Sequence, residues 1–353
     1  MSLARFLGKW MQGDGPESQI VLSSRIRLAR NLKAFPFPER ASKEQLGQIV
    51  DRIAVGLKES PGLGDLKLVK FLDLPILERQ VLVEKHLTSP QHGQKDQGAL
   101  LLKDDGTISV MINEEDHLRI QCILPGLQLE EAWREADKVD DFLGLNLDIA
   151  YDPELGYLTC CPTNLGTGIR VSVMVHLPAL AYLGRLEPVL RSITQVGLAV
   201  RGIYGEGTQA LGNIFQISNN ATLGRNEEEI VDNINRVTKQ LVEHEKNARD
   251  ILVKNWKIKL EDLTGRAYGT LSNSYIISSQ EAIKLLSDLR LGADTGTISE
   301  LTSGISKQTF NELLVLIRPA HLQSMGGQEL DEEQRDVARA TLLRKTLKIK
   351  REG

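Results

Sequence analysis

Residues 99–125 read ALLLKDDGTISVMINEEDHLRIQCILP. Ala99–Lys103 and Thr107–Ile112 are apolar alternating runs on either side of Asp104-Asp105-Gly106. An Asp-Gly pair between such runs signals a hairpin, because glycine takes the left-handed conformation that a tight turn needs. A further extended run, Arg119–Leu124, ends at Pro125-Gly126. Between the runs stand Asn113, Glu114, Glu115, Asp116, His117, Leu118 and Arg119. Three consecutive carboxylates repel one another unless a cation is near. The stretch therefore predicts antiparallel strands with a charged loop at one end. That composition suits a solvated acidic loop, or a site for a metal-bound, phosphate-rich ligand and a cationic substrate.

The chain has 353 residues, 41% hydrophobic and 25% charged, which are globular values with length for one large or two modest domains. A net charge of −4 implies no general nucleic-acid-binding surface. Three cysteines, Cys122, Cys160 and Cys161, are too few for a disulfide scaffold and fit a reducing compartment. No Cys-x-x-Cys or His-Glu-x-x-His spacing occurs, which argues against zinc. Met1–Gln12 lacks the apolar run of a signal peptide, and no stretch of about 18 apolar residues is present to span a membrane. The expectation is a soluble cytoplasmic protein without a nucleic-acid or membrane partner.

Upstream, Ile20–Asn31 (IVLSSRIRLARN) reads as extended. Arg25 and Arg27 then share a face, spaced to reach successive phosphate oxygens. Ser42–Leu57 reads as a helix with a Ser42/Gln45 capping box. Leu66–Leu72 is strand-like and Pro75–His86 helical. Downstream, Leu129–Leu143 is an amphipathic helix, and Leu147–Tyr151 with Gly156–Cys161 forms another hairpin. Asn164–Gly168 is a small-residue loop, neither a P-loop nor a GxGxxG fingerprint. It reads as a tight turn between strands or as backbone N–H groups that meet phosphates. Arg170 opens a strand of alternating valines; Pro178–Leu198 is mostly helical. Arg201–Ala210 (RGIYGEGTQA) sets an Arg and a Glu around a Gly-rich turn, and Ile214–Ser218 is a strand. Asn226–Leu252 is a long helix capped by Asn226 and Glu229. Leu260–Tyr275 reads as a connection. From Ser278 the chain is helical, with capping boxes at Ser278/Glu281, Thr297/Glu300 and Asp331/Gln334.

Four stretches follow one another in this order: SSRIRLAR (23–30), NEEDHLR (113–119), CPTNLGTGIR (161–170) and RGIYGEGT (201–208). Together they resemble the catalytic domain of the ATP:guanidino phosphotransferases, the creatine and arginine kinase (phosphagen kinase) family. The resemblance implies an α/β (α+β) fold, a curved antiparallel sheet flanked by helices, followed here by a small all-helical C-terminal domain. The division expected is a short segment 1–19, a catalytic domain 20–255, a connection 256–277 and a helical domain 278–353.

The resemblance also implies ATP and Mg2+ as cofactors, with residue roles. Arg25, Arg27, Arg119, Arg170 and Arg201 bind the nucleotide's phosphates. They belong to nucleotide-binding stretches that include Ser24, Ile26 and Leu28; Val171, Ser172, Val173 and Met174; and Gly202, Ile203, Tyr204, Gly205 and Glu206. His86 matches a position near the adenine. Met174 departs from the small-molecule kinases, which often carry a His there. Glu115 and Glu206 hold the substrate guanidinium, with Cys161 beside it. Glu114 and Asp116 order magnesium through water. These roles suit phosphoryl transfer, which depends on positioning and charge neutralisation. Arginine supplies planar donors that stay charged. A guanidinium, with a pKa above about 12, needs carboxylates to align it and remove its proton.

The small-molecule kinases carry a helical N-terminal domain with a loop that closes over the substrate. Only residues 1–19 precede the family match here, which predicts an open site suited to an Arg side chain displayed on a protein. The helical C-terminal region resembles the protein-arginine kinase branch of the family. Its Arg335-Asp336-Val337-Ala338-Arg339-Ala340 fits that branch's RDxxRA phosphoarginine-receptor motif, so Arg335, Asp336, Arg339 and Ala340 are expected to bind phosphoarginine. The branch implies protein substrates, a role in stress response and Clp-dependent protein quality control, an activating adaptor, allosteric control and a homodimer. Competing readings are a kinase for free arginine or another small guanidine, and a non-catalytic phosphoarginine-binding adaptor.

Overall fold

The computed structural model describes residues 7–58, 66–203, 210–302 and 304–348. The chain runs β1 (Val21–Arg30), α1 (Lys43–Lys58), β2 (Leu66–Lys70), α2 (Ile76–Glu84), α3 (Pro90–Gly93), β3 (Ala99–Lys103), β4 (Ile108–Ile112), β5 (Leu118–Pro125), α4 (Leu129–Asn146), β6 (Tyr151–Asp152), β7 (Gly156–Tyr157) and β8 (Ile169–His176). It continues with α5 (Pro178–Tyr182), α6 (Leu186–Gln195), β9 (Leu198–Gly202), β10 (Ile214–Asn219), α7 (Glu227–Asn255), α8 (Lys257–Asn273), α9 (Ser279–Thr295), α10 (Ser299–Thr302), α11 (Lys307–Leu316), α12 (Pro319–Gly326) and α13 (Glu332–Leu347). Two compact units emerge. The first holds Met1–Trp10, Ser23–Ser172 and Ser218–Asn235; the second holds Met11–Leu22, Val173–Ile217 and Arg236–Gly353.

In the first unit the strand order is β2-β3-β4-β5-β1-β8. The Asp-Gly hairpin forms as read: β3 and β4 are antiparallel, with Ala99 opposite Ile112, and Gly106 takes φ +69°. β5 adds to β4 with Arg119 opposite Met111, and β1 adds to β5 with Arg25 opposite Ile123, Arg27 opposite Gln121 and Ala29 opposite Arg119. Opposed residues project from the same face of a sheet, so Arg25, Arg27 and Arg119 share one face. Ile26, Leu28, Ile120 and Cys122 take the other and are fully buried. There α4 packs on β5 with Leu129, Ala132, Ala136, Val139 and Leu143 inward. Each large aliphatic side chain so buried stabilises the fold by roughly 1.5–3 kcal/mol.

The second hairpin is shorter than its sequence suggests, pairing only Tyr151 with Tyr157 and Asp152 with Gly156. Asp152 ties the turn by accepting from Glu154 N and Leu155 N, and the N–H of Cys160 goes to Asp116 instead of a strand partner.

In the second unit the order is β8-β10-β9. The stretch read as a connection is helix α8. Leu260, Thr264, Ala267 and Leu271 recur at helical spacing and are buried, a pattern diluted in the sequence by Gly265 and Gly269. α8 packs on α9 at Gly292, where an added Cβ would lie 2.2 Å from Thr264 Cγ2. Ser278 caps α9, and Asp331 with Gln334 forms a complete capping box on α13. Thr297 forms no such box: its hydroxyl bonds Thr295 at 2.7 Å, and α10 starts at Ser299. No described helix is long and apolar enough to cross a membrane.

Candidate active site

The first unit gathers four of the five expected arginines. Arg25 and Arg27 come from alternate positions of β1, Arg119 from β5 and Arg170 from β8. Arg25 Nε donates to Ser172 Oγ at 3.4 Å, and Arg170 Nη2 donates to Ser218 Oγ at 3.1 Å. Arg27 Nε is buried without a hydrogen-bond partner among the described residues. Burial, then the charges of Arg119 and Arg170, push the Arg25 pKa down to about 10. Burial and the same crowding, with Arg25 included, lower Arg27 further, against the pull of Glu114. The lowered values mean that the charged forms are held against burial first and mutual repulsion second. The face therefore favours a polyanion.

Arg119 is the exception. Glu114, Glu115 and Asp116 outweigh its burial and raise its pKa. Its Nη1 donates to Glu114 Oε2 at 2.9 Å and to Glu115 Oε2 at 3.1 Å.

The acidic loop is built rather than loose. Asn113 takes φ +63°, which Asn tolerates better than most residues. Its N–H donates to His117 O at 3.1 Å, and its side chain donates to Leu46 O and Gln97 O. His117 Nδ1 accepts from Leu32 N at 3.0 Å while Nε2 meets Pro36 O at 2.9 Å, so the network assigns the ring proton to Nε2. Glu114 accepts from Ser89 Oγ at 2.7 Å and from Glu115 N at 3.0 Å. Lys95 Nζ reaches its carbonyl. Burial alone would raise the Glu114 pKa, but Arg119 and these hydrogen bonds hold it at about 2. Glu115 is the more open carboxylate, 35% exposed against 8% for Glu114.

Asp116 is fully buried. Its Oδ1 accepts from Asn31 Nδ2 and from Cys160 N, both at 2.7 Å, while Oδ2 is buried without a partner among the described residues. Burial raises its pKa despite those bonds. An orphaned hard oxygen beside a second carboxylate fits a magnesium ion reached through water. No cluster of three His, Cys, Asp or Glu among the described residues fits a directly bound metal.

The remaining expected residues separate. Ser24, Ile26, Leu28 and Val171 are buried, and strand alternation turns them away from Arg25, Arg27 and Arg170. Ser24 Oγ instead ties the β5–α4 turn through Gly126 O and Gln128 N. His86 takes φ +61° and meets Trp10 edge to face at 5.5 Å. Cys161 is half-buried, its Sγ 3.0 Å from Thr163 Oγ1. The Asn164–Gly168 loop packs on β1: Gly168 O accepts from Ala29 N, and a Cβ on Gly168 would lie 2.7 Å from Ala29 O. That close approach is why glycine is needed there.

In the second unit Val173 and Met174 are buried, Arg201 is exposed on β9, and Gly202 and Ile203 are half-buried. Tyr204, Gly205 and Glu206 lie outside the described residues. Of the RDxxRA residues, Arg335 donates to Leu330 O at 2.8 Å and Asp336 is 20% exposed. Arg339 is 2% exposed, pairs with Asp336 and donates to Ile317 O and Ile277 O, both at 2.9 Å. It ties α13 to the ends of other helices, and Ala340 is buried beside it. On this face Arg335 is half-buried, while Arg339 is buried against backbone carbonyls. Sequence reading missed Asn31 and Ser89. The Ser-Pro pair opening α3 was a visible sign of a cap for Ser89.

Known proteins resemble this chain along most of its length. Residues 48–248 match the family model described as ATP:guanido phosphotransferase, C-terminal catalytic domain. Residues 257–353 match the protein-arginine kinase McsB C-terminal domain. A protein-arginine kinase of Moorella thermoacetica is 50% identical over 346 residues, covering 96% of this chain and 97% of that relative. One of Bacillus subtilis is 48% identical over 359 residues, covering 100% and 98%. Among solved structures, the duplicated taurocyamine kinase of Schistosoma mansoni superposes with TM-score 0.59 at 25% identity, covering 70% of this chain and 35% of that one. Lombricine kinase gives TM-score 0.58 at 23% identity, covering 69% and 70%, and speaks for the fold alone. The chain belongs to the ATP:guanido phosphotransferase family, in its protein-arginine kinase branch.

Proposed function

We propose that this chain transfers the γ-phosphoryl group of ATP to arginine side chains of proteins. The observation that carries the reading is the face of Arg25, Arg27, Arg119 and Arg170 closing on the Glu114–Glu115 pair. The arginines neutralise the triphosphate and hold it in line. Glu115, the open carboxylate, grips the N–H edge of the acceptor guanidinium and takes its proton as the P–N bond forms and the bond to the β–γ bridging oxygen breaks. Glu206 is the second carboxylate, Cys161 adds a thiol beside the acceptor, and Arg201 is the fifth phosphate ligand. His86, Ser172, Met174 and Gly202 line the nucleotide. Glu114 and Asp116 hold magnesium through water, and magnesium, when bound, neutralises phosphate charge. Arg335, Asp336, Arg339 and Ala340 read phosphoarginine, and Arg339 also ties their helix to Ile317 O and Ile277 O.

The branch's wider setting goes with this reading: a cytoplasmic homodimer with an activating adaptor, serving the Clp system in stress. Labelled ATP offered separately with an unfolded protein and with free arginine tests the reaction. Acid-avoiding mass spectrometry is the readout, because the phosphoramidate bond is acid-labile. Phosphoarginine on the protein is expected. Preferential labelling of the free amino acid would overturn the substrate class.

A further inference from the structure

Arg30, the last residue of β1, and Asn31, which follows it, grip one segment at both its ends. Arg30 is 2% exposed. Its Nε and Nη2 hold Asp140 of α4 at 3.0 and 2.7 Å, and its Nη1 donates to Thr167 O at 3.0 Å. Its guanidinium lies 3.4 Å from the centre of the Tyr157 ring. Asn31 is 1% exposed. Its Nδ2 donates to Leu158 O at 3.0 Å and to Asp116 Oδ1, and its Oδ1 accepts from His117 N at 2.9 Å. Asp116 Oδ1 in turn accepts from Cys160 N. Successive residues of a strand face opposite ways, so one strand end reaches both Leu158 and Thr167. The segment between them carries Cys161.

Neither side chain is needed merely to fill space. Both Nδ2 hydrogens of Asn31 go to backbone or side chains of the acidic loop and the Cys161 segment. An apolar residue would pack there without linking them. Arg30 uses its planar fork on Asp140 while a further donor reaches Thr167, a division that lysine's single ammonium does not reproduce. Gly168 completes the fit, since a Cβ there would lie 2.6 Å from Arg30 Nη1.

We infer that Arg30 and Asn31 are positioning residues that fix residues 158–167, and with them the Cys161 thiol, against the Glu114–Asp116 loop. The inference rests on the proposed reaction, in which that thiol lies beside the acceptor guanidinium. The experiment uses the full chain with Asn31→Ala, Asn31→Asp and Arg30→Lys. It reads the rate of Cys161 alkylation by iodoacetamide, located by peptide mapping, together with steady-state kinetics and melting temperature.

For Asn31→Ala, alkylation is expected about tenfold faster and kcat about tenfold lower, with the KM for ATP within about twofold of the parent. Arg30→Lys is expected to shift both rates in the same directions by about threefold. Alkylation and kcat within about twofold of the parent in both variants overturn the inference. So does a general loss in which melting temperature and ATP KM move together. Faster alkylation with unchanged kcat upholds the positioning and instead removes Cys161 from the proposed reaction. If Asn31→Ala does not fold, Asn31→Asp and Arg30→Lys decide by the same readouts.

Discussion

Two groups of arginines, one in each unit, do opposite work. In the first, Arg25, Arg27, Arg119 and Arg170 crowd one sheet face, where among the described residues Arg119 pairs with Glu114 and Glu115. In the second, Arg249 and Arg290 are more deeply buried and sit with matching anions. Arg249 bonds Glu245, Asp294 and Gln19 O at 3.0, 3.3 and 3.2 Å. Arg290 bonds Asn311 and Ser18 O at 2.7 and 2.8 Å, with Asp294 3.6 Å away. Glu245 also accepts from Ala179 N and Leu180 N. A buried charge with partners fixes structure, whereas a buried surplus holds free energy that an incoming anion releases. Repulsion among neighbouring guanidiniums marks the arginines of the site, and anions packed against each guanidinium mark those of the scaffold.

The largest test of that contrast is Arg27→Met. It is expected to lower kcat/KM for protein phosphorylation by about 10³-fold, the scale of losing one charge stabiliser of the transition state. Its melting temperature should hold or rise, because a repelled cation is removed. Pyrophosphate should raise the melting temperature of the parent and do so less for the variant. A variant that melts much lower would break the contrast.

Next in size, Arg290→Met is expected to lose about 3–5 kcal/mol in urea unfolding, since it removes one partner of a buried ion network. A loss under about 1 kcal/mol would put both arginine groups in one class.

The third test uses pH. His92, fully buried under the first unit's outer strands, has its pKa lowered to about 4, chiefly by burial, with Ile112 O and Glu114 pulling the other way. Its folded-state pKa is below the unfolded value, so the unfolded chain takes up the proton first. Stability is full above about pH 6.5 and declines as pH falls toward 4, by roughly 3 kcal/mol. His92→Gln should flatten that limb in thermal melts across pH. What acid sensitivity remains would belong to carboxylates and to His176 of the second unit, which burial, Arg290 and Arg249 keep neutral.

Local chemistry was legible in the sequence. The Asp104–Gly106 turn, the shared face of Arg25 and Arg27, and the caps at Ser42, Ser278 and Asp331 all follow from residues a few positions apart. Longer-range partners were not. Asn31 and Asp116 are 85 residues apart, and nothing near either one announces the other. The helical spacing of Arg335 and Arg339 put them on one face, yet the carbonyls of Ile317 and Ile277 that occupy Arg339 come from other elements. α8 was misread because glycine and threonine obscured a buried stripe of only a few residues. Within the nucleotide-binding stretches, alternation alone already separated Arg25 and Arg27 from Ile26 and Leu28.

That alternation also limits how this protein can diverge. Inserting or deleting one residue within β1 would turn Ile26 and Leu28 toward the site and drive two guanidiniums into an apolar core. Chain length in β1 is therefore frozen, and variation there must come by substitution. The Asp104–Gly106 turn, at the far end of the β3–β4 hairpin from the acidic loop, is under no such constraint. Lineages should differ in length at that turn long before they differ in β1.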